Sequence, residues 1–387
     1  MRTYEKTHPW LSFRLALRKA SPVLWLLLGE AQSKAQHVAG VPLPQDVQAH
    51  FLQLYLARGV LATTAIEGNT LSEEQVIEHL QGKLKLPPSK AYLQQEVANI
   101  VEACNDIGPR ILEGRSDEIS AERIREYNRS VLKGLPLDEE ITPGEYRRYS
   151  VGVGRYRAAP PEDLDYLVER LCRWLNDEFE APEGYEVAWG ILKAILAHLY
   201  IAWIHPFGDG NGRTARLVEF EILLSVGVPN IAAHLLSNHY NQTRTEYYRQ
   251  LDRAHRSGGE PLPFIEYALQ GFVDALKEQI ETIKAQQLQV HWINFVHEVF
   301  RDKDTEANRR RRRLVIDLSA RTEPVPLSEL RYVSPRIAEA YADKTEKTIQ
   351  RDVNQLVKLG LLAKTKKGVR TQPEIMLAFL PAVRHDD

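Results

Sequence analysis

"IHPFGDGNGRTARLVEF", Ile204 to Phe220, decides the fold, because one buried helix ends inside it and another begins. Upstream, Val187, Ile191, Ile195, Leu199 and Trp203 recur every four residues with Ala188, Leu192 and Leu196 beside them, the helical period of a largely buried element. That period stops at His205, a loop with three glycines follows, and a second helix begins around Asn211 to Arg213. A helix N-terminus offers unpaired N–H groups and the positive end of its dipole, so a glycine-rich approach to it makes an anion site, with phosphate the natural occupant. Arg213 and Arg216 share one face of the new helix, and their planar forks suit phosphate oxygens. Asp209 offers a hard oxygen ligand for Mg²⁺, and His205 is the group nearby that can accept a proton near neutral pH. Each part alone is ordinary, and His198 reads as a core histidine. A base, a metal ligand, a glycine nest and two arginines packed so closely are not ordinary.

Working outward, Leu164–Phe179, Arg216–Gly227 and Pro263–Gln287 carry the same helical period. The exception is Gly144 to Pro161, where Val151 and Val153 alternate with glycine and a short extended hairpin is expected. The chain shows no repeat and no low-complexity linker, and the polar stretch Arg301 to Arg313 is the best boundary. Beyond it, three short helices and two strands around a Lys366–Gly368 turn resemble a winged-helix domain over roughly Arg309 to Pro381. In its third helix Ile349, Val353, Leu356 and Val357 form the buried stripe, and Lys347, Gln350, Arg351, Asn354 and Lys358 face outward.

With 387 residues, 43% of them hydrophobic, the chain is long enough for two or three domains. Two cysteines, Cys104 and Cys172, exclude a disulfide framework and suit a reducing compartment, so a cytoplasmic location is expected. The N-terminus lacks the apolar core of a signal peptide, its longest greasy run is too short to span a bilayer, and no membrane role is expected. The formal net charge of −2 hides an asymmetry: residues 309–370 hold 16 Lys and Arg against 7 Asp and Glu, a net +9 on a body of −11. A basic segment of that size raises nucleic acid as a partner, with Lys347, Arg351 and Lys358 as candidate contacts, against a docking module as the alternative.

"HPFGDGNGRTAR" resembles the signature of the Fic family, His-Pro-Phe-x-Asp/Glu-Gly-Asn-Gly-Arg-x-x-Arg, at every fixed position. "GEYRRYSVGVG" is similar to the family's flap hairpin and "RTEYYRQLDRA" to the stretch that forms the adenine side of its pocket, so the resemblance spans roughly Phe51 to Val273. It implies a mainly helical fold, a Fic-type core with a β-hairpin flap, here followed by the α+β winged-helix domain. The expected domains are an N-terminal helical region over 1–110, a catalytic core over 111–290, and a linker helix with the winged helix over 291–387. The implied activity is transfer of AMP from ATP to a Tyr, Thr or Ser hydroxyl of a target protein. His205 would be the general base, Asp209 would hold Mg²⁺, and the N–H groups from Gly210 to Gly212 with the Asn211 side chain would form the anion hole. Arg213 and Arg216 would hold the β- and γ-phosphates, Val151, Gly152, Val153 and Gly154 would contribute flap contacts, and Tyr248 would approach the base. His255 stands where some relatives have an asparagine. Kinase-like relatives lack the Gly-Arg step that Gly212 and Arg213 supply here.

The family also has an inhibitory motif, Ser/Thr-x-x-x-Glu-Gly/Asn, and "TTAIEG" fits it with Thr63, Glu67 and Gly68. The resemblance places Glu67 against Arg216, in space the γ-phosphate needs. The expected function is thus an autoinhibited protein adenylyltransferase using ATP and Mg²⁺, with self-modification and a homodimer left open. Two alternatives stand beside it: removal of AMP at the same site, with Glu67 activating water, and a DNA-binding regulator acting through the winged helix.

Overall fold

The computed structural model describes residues 2–114, 118–153 and 156–377. Two compact units emerge, Met1–Ile280 and Glu281–Asp387. The first is built from α1 (Thr3–Thr7), α2 (Pro22–Ala39), α3 (Gln45–Ala65), α4 (Glu73–Leu80), α5 (Ala91–Leu112) and α6 (Ala121–Leu132). A hairpin of β1 (Gly152–Val153) and β2 (Tyr156–Arg157) follows, then α7 (Leu164–Arg173), α8 (Glu186–Ile204), α9 (Asn211–Ser225), α10 (Asn230–Ala233), α11 (Leu235–Gln242), α12 (Arg244–Arg256) and the start of α13 (Leu262–Val299). The mainly helical fold with one short hairpin in this unit is the expected one. The hairpin pairs Gly152 with Arg157 and Val153 with Tyr156 in antiparallel register. Gly154, expected among the flap contacts, lies outside the described residues, and Val153 is described by its backbone only.

The core runs along α8, whose Ile191, Leu192, Ile195, Leu196 and Leu199 are fully buried. This helix is long and apolar enough to cross a membrane, but 78% of that apolar window is buried inside the protein, as befits a central core helix. It packs most extensively on α9, which also meets α3, α5 and α6. Cys104 and Cys172 are free and buried.

The C-terminal end of α3 is chemically defined. The N–H of Gly68 donates to the Ala65 carbonyl at 3.0 Å and that of Asn69 to the Thr64 carbonyl at 3.1 Å. These are the bonds of a Schellman motif, which needs a left-handed residue, and Gly68 supplies it at φ +105°. Glu67 therefore sits on the last turn of a terminated helix, its direction set by the glycine after it.

The second unit begins within α13, upstream of the polar stretch 301–313, and continues as α14 (Glu306–Leu318), α15 (Pro335–Ala340), α16 (Glu346–Lys358), β3 (Leu362–Thr365) and β4 (Gly368–Thr371). Thr305 caps α14 and Ser334 caps α15 by accepting first-turn N–H groups. On α16, Ile349, Val353 and Leu356 are buried as their spacing predicts, while Lys347, Arg351 and Lys358 are exposed. One residue departs from the stripe. Asp352 is 1% exposed and binds Arg310 Nη2 at 2.8 Å, Arg311 Nε at 2.7 Å and the Tyr341 hydroxyl at 3.1 Å, stapling α16 to α14 and to the end of α15.

Candidate active site

α8 ends at His205, which takes the left-handed conformation at φ 50°, ψ 61°. Its N–H still closes the helix on Ile201 at 2.8 Å. The loop beyond it is held from inside: the Phe207 N–H donates to Asn211 Oδ1 and the Asn211 amide donates back to the Phe207 carbonyl, both at 2.9 Å. Asn128, fully buried on α6, donates to the Asp209 carbonyl at 2.9 Å and accepts from the Gly144 N–H at 2.9 Å. The loop is thereby delivered to the N-terminus of α9 in one shape.

Two of the expected anion-hole groups are occupied otherwise. The Asn211 side chain is spent on Phe207, because its two amide atoms match the two backbone groups of a tight loop. The Gly210 N–H donates to Asp209 Oδ1 at 2.5 Å, since the carboxylate lies one residue away. That leaves the remaining first-turn N–H groups of α9, Gly212 included, and the arginines as the groups that could hold an anion.

The two arginines have different partners. Arg216, 2% exposed, donates through Nη2 to the Thr63 carbonyl at 3.0 Å and to Glu67 Oε1 at 2.5 Å. Its Nε and Nη1, and Nε of Arg213, are buried donors without a partner, which is what an anion site offers. A Cβ on Gly212 would lie 2.2 Å from Glu67 Oε1, so glycine is what lets the carboxylate rest on the first turn of α9. The Glu67 carboxylate is thus an anion resting against the first turn of α9 and Arg216. Burial disfavours its charge, but the charge and hydrogen bond of Arg216, with Arg213 and His205 beyond, prevail and hold its carboxyl below the usual range. The motif's first residue, Thr63, takes part through its backbone carbonyl. Neighbouring carbonyls behave alike: Ala65 accepts from Arg244 at 3.2 Å and Ile66 from the Tyr248 hydroxyl at 3.4 Å. Cations and a hydroxyl meet the negative end of α3. Tyr248, expected near the base, is on α12, and its hydroxyl meets this turn while the residue is 42% exposed.

Arg213 is held between two carboxylates, Asp209 at 3.2 Å and Glu96 at 3.2 Å. Glu96 also accepts from the Asn69 amide at 2.8 Å, so the residue two beyond Glu67 reaches the other arginine by a second route. Among the described residues no group of three or more His, Cys, Asp or Glu gathers as a metal cage. Asp209 keeps a half-exposed carboxylate, which fits a cation completing its shell with phosphate and water.

His205 is partly exposed. Burial first, then the nearby Arg147 charge, push its pKa down to about 4, against the opposing pull of a bond to the Ala202 backbone and the charges of Glu67 and Asp209. Its imidazole is neutral at neutral pH, as a proton acceptor must be. His198 is the core histidine expected, its ring nitrogen 2.8 Å from the Tyr247 hydroxyl. His255 packs beside Tyr156, ring centroids 4.8 Å apart. Sequence reasoning missed Arg147, Asn128, Glu96 and Asn69. Glu96 alone carried a signal, a carboxylate between Leu93, Val97 and Ile100 on the buried face of α5.

Comparison with known proteins matches residues 118–223 to the Fic/DOC family. The chain is 31% identical over 243 residues to protein adenylyltransferase fic-1 of Caenorhabditis elegans, covering 61% of this chain and 44% of that protein. It is 30% identical over 221 residues to protein adenylyltransferase Fic of Nematostella vectensis, covering 57% and 46%. The match thus spans less than half the length of these curated relatives. A solved Fic family protein from Desulfovibrio desulfuricans G20 shares the fold, with TM-score 0.56 and 22% identity over 91% of this chain and 96% of that one. The structure of Fic-1 from C. elegans superposes with TM-score 0.53 and 27% identity over 68% and 73%. The chain therefore carries a domain of the Fic/DOC family, the Fic domain, over residues 118–223.

Proposed function

We propose that the chain is an autoinhibited protein adenylyltransferase, which transfers AMP from ATP to a Tyr, Thr or Ser hydroxyl of a target protein. The hydroxyl oxygen attacks the α-phosphorus, its proton passes to the neutral His205 imidazole, and the bond to the α,β-bridging oxygen breaks to release pyrophosphate. Arg213 and Arg216 hold the β- and γ-phosphates at the α9 N-terminus and meet the charge that builds on the leaving group. Mg²⁺ bound through Asp209 would screen the phosphates. The hairpin 152–157 orients the acceptor segment. The observation that supports this reading is the Glu67 carboxylate seated on Arg216 at the first turn of α9. The test is label transfer from α-labelled ATP onto a protein, with a mass gain of one AMP. His205→Ala abolishes it, and label arriving from the γ position defeats the reading.

A second role is supported by α16. Lys347, Arg351 and Lys358 are exposed on a helix followed by a two-stranded hairpin, which would suit a winged helix that lays this helix on duplex DNA. Duplex binding by the full chain that weakens with salt, and is lost in Lys347→Ala with Arg351→Ala, supports it. Binding absent at low salt removes it.

A further inference from the structure

Arg147, just before the hairpin, is 4% exposed, and its guanidinium bonds are all to backbone carbonyls. Nε donates to His205 at 2.8 Å, Nη1 to Tyr149 at 2.6 Å, and Nη2 to Ala159 at 2.6 Å and Ile204 at 3.4 Å. Its own N–H donates to the Pro206 carbonyl at 3.0 Å. Tyr149 and Ala159 are the two stems of the hairpin. Ile204, His205 and Pro206 are the end of α8 and the entry to the loop. One planar fork therefore ties both strands of the flap to the turn that presents the base.

Two costs at this point require such a group. The last carbonyls of a buried helix have no intrahelical donor and sit at the negative end of its dipole. His205 is also one of two non-glycine residues with positive φ among the described residues, a conformation that costs about 1–2 kcal/mol. A buried, permanently charged arginine offsets both, since its five donors reach several carbonyls at fixed angles.

We propose that Arg147 is a positioning residue that locks His205 in its left-handed pose and anchors the flap to the same fork, so that base and flap keep one geometry through the reaction. This rests on the adenylyl-transfer reading. Arg147 also contributes charge beside the imidazole, where it opposes Glu67 and Asp209. Lysine supplies that charge without the fork, and glutamine supplies neither the charge nor the full set of donors.

The test uses the full chain in a Glu67→Gly background, with Arg147→Lys and Arg147→Gln. Arg147→Lys is expected to lower kcat about 30-fold or more with KM for ATP within about threefold, the pattern of a lost transition-state geometry. Arg147→Gln is expected to raise the His205 pKa, read by NMR, by about one unit or more. Amides of Arg147, of His205 and of Ala158, whose N–H donates across the hairpin stem to the Val151 carbonyl at 3.1 Å, are expected to exchange as one cooperative unit in the parent protein and to lose protection together in both variants. A lysine variant with kcat within about threefold of the parent, or an unmoved His205 titration in the glutamine variant, overturns the proposal. Should Arg147→Gln not fold, exchange in the parent decides, and opening rates for the three amides that differ by more than about tenfold refute the shared anchor. A parent that transfers no AMP sinks the enzymatic reading instead, while titration and exchange still judge Arg147.

Discussion

Removing the Glu67 charge should both activate the protein and destabilise it. Glu67 Oε1 lies 2.5 Å from Arg216 Nη2, with the arginine side chain 1% exposed and the glutamate 32% exposed. Close, desolvated charge pairs couple by about 1.5–7 kcal/mol, and the exposed side of Glu67 places this pair in the lower part of that range, about 2–3 kcal/mol. A γ-phosphate that must displace the carboxylate meets that penalty, which corresponds to about a 30- to 150-fold loss of productive nucleotide binding. Glu67→Gln keeps the volume and removes the charge; Glu67→Gly removes both. AMP transfer measured with α-labelled ATP should rise within that range for Glu67→Gln and at least as far for Glu67→Gly. Glu67→Gly leaves Arg216 buried with only the Thr63 carbonyl as a partner, an uncompensated charge that costs about 3–5 kcal/mol, whereas the amide oxygen of Glu67→Gln still accepts from Arg216 and the loss is smaller. Thermal unfolding of the variants should therefore occur at lower temperature and recover on adding pyrophosphate, which restores an anion to Arg216. Unchanged transfer rates together with unchanged unfolding would show the carboxylate to be neither a brake nor a structural counter-ion.

The same groups predict further outcomes. With His205 pushed down to about 4, the acid limb of the transfer rate should lie near pH 4 and not near 6.5, leaving a flat profile from about 5.5 to 8 in a pH–rate series. Burial also pushes His234 down to about 4. A lowered folded pKa means that the unfolded chain binds more protons between about 4 and 6.5, so stability present above 6.5 is lost as pH falls through that window. The share of His234 is about 3 kcal/mol, readable by urea titration against His234→Asn. The Glu67 latch has the same sign: its carboxyl is held below the ordinary 4.5, so its contribution persists above that value and fades only in stronger acid. Asp352→Ala should destabilise the second unit by about 3–5 kcal/mol, because Arg310 and Arg311 lose a shared buried partner; a shift in the urea midpoint of under about 1 kcal/mol would contradict the staple.

Helical periodicity is a local property, and it located α8, α9 and the buried stripe of α16 because each depends on neighbours three and four residues away. The glycine-rich turn onto α9 was legible for the same reason, since its glycines and the helix start lie within one continuous stretch. What periodicity could not reveal is which polar residue finds a partner far along the chain. Arg147 and Arg148 are adjacent and alike in sequence, yet only the carbonyls at 204 and 205 decide that Arg147 is the buried one. Asp352 interrupts an apolar stripe and becomes buried only because Arg310 and Arg311 meet it.

The helical frame, the glycine-rich turn onto α9, the histidine at its entry and the Glu67 motif at the end of α3 are all carried by residues close together along the chain. That Asn69 and Glu96 reach Arg213, and that Arg147 bonds both hairpin stems and the end of α8, depends on packing between segments far apart in the chain. The reason is physical: a buried donor or charge is tolerated only where a specific partner arrives, and that partner comes from the packing of distant segments.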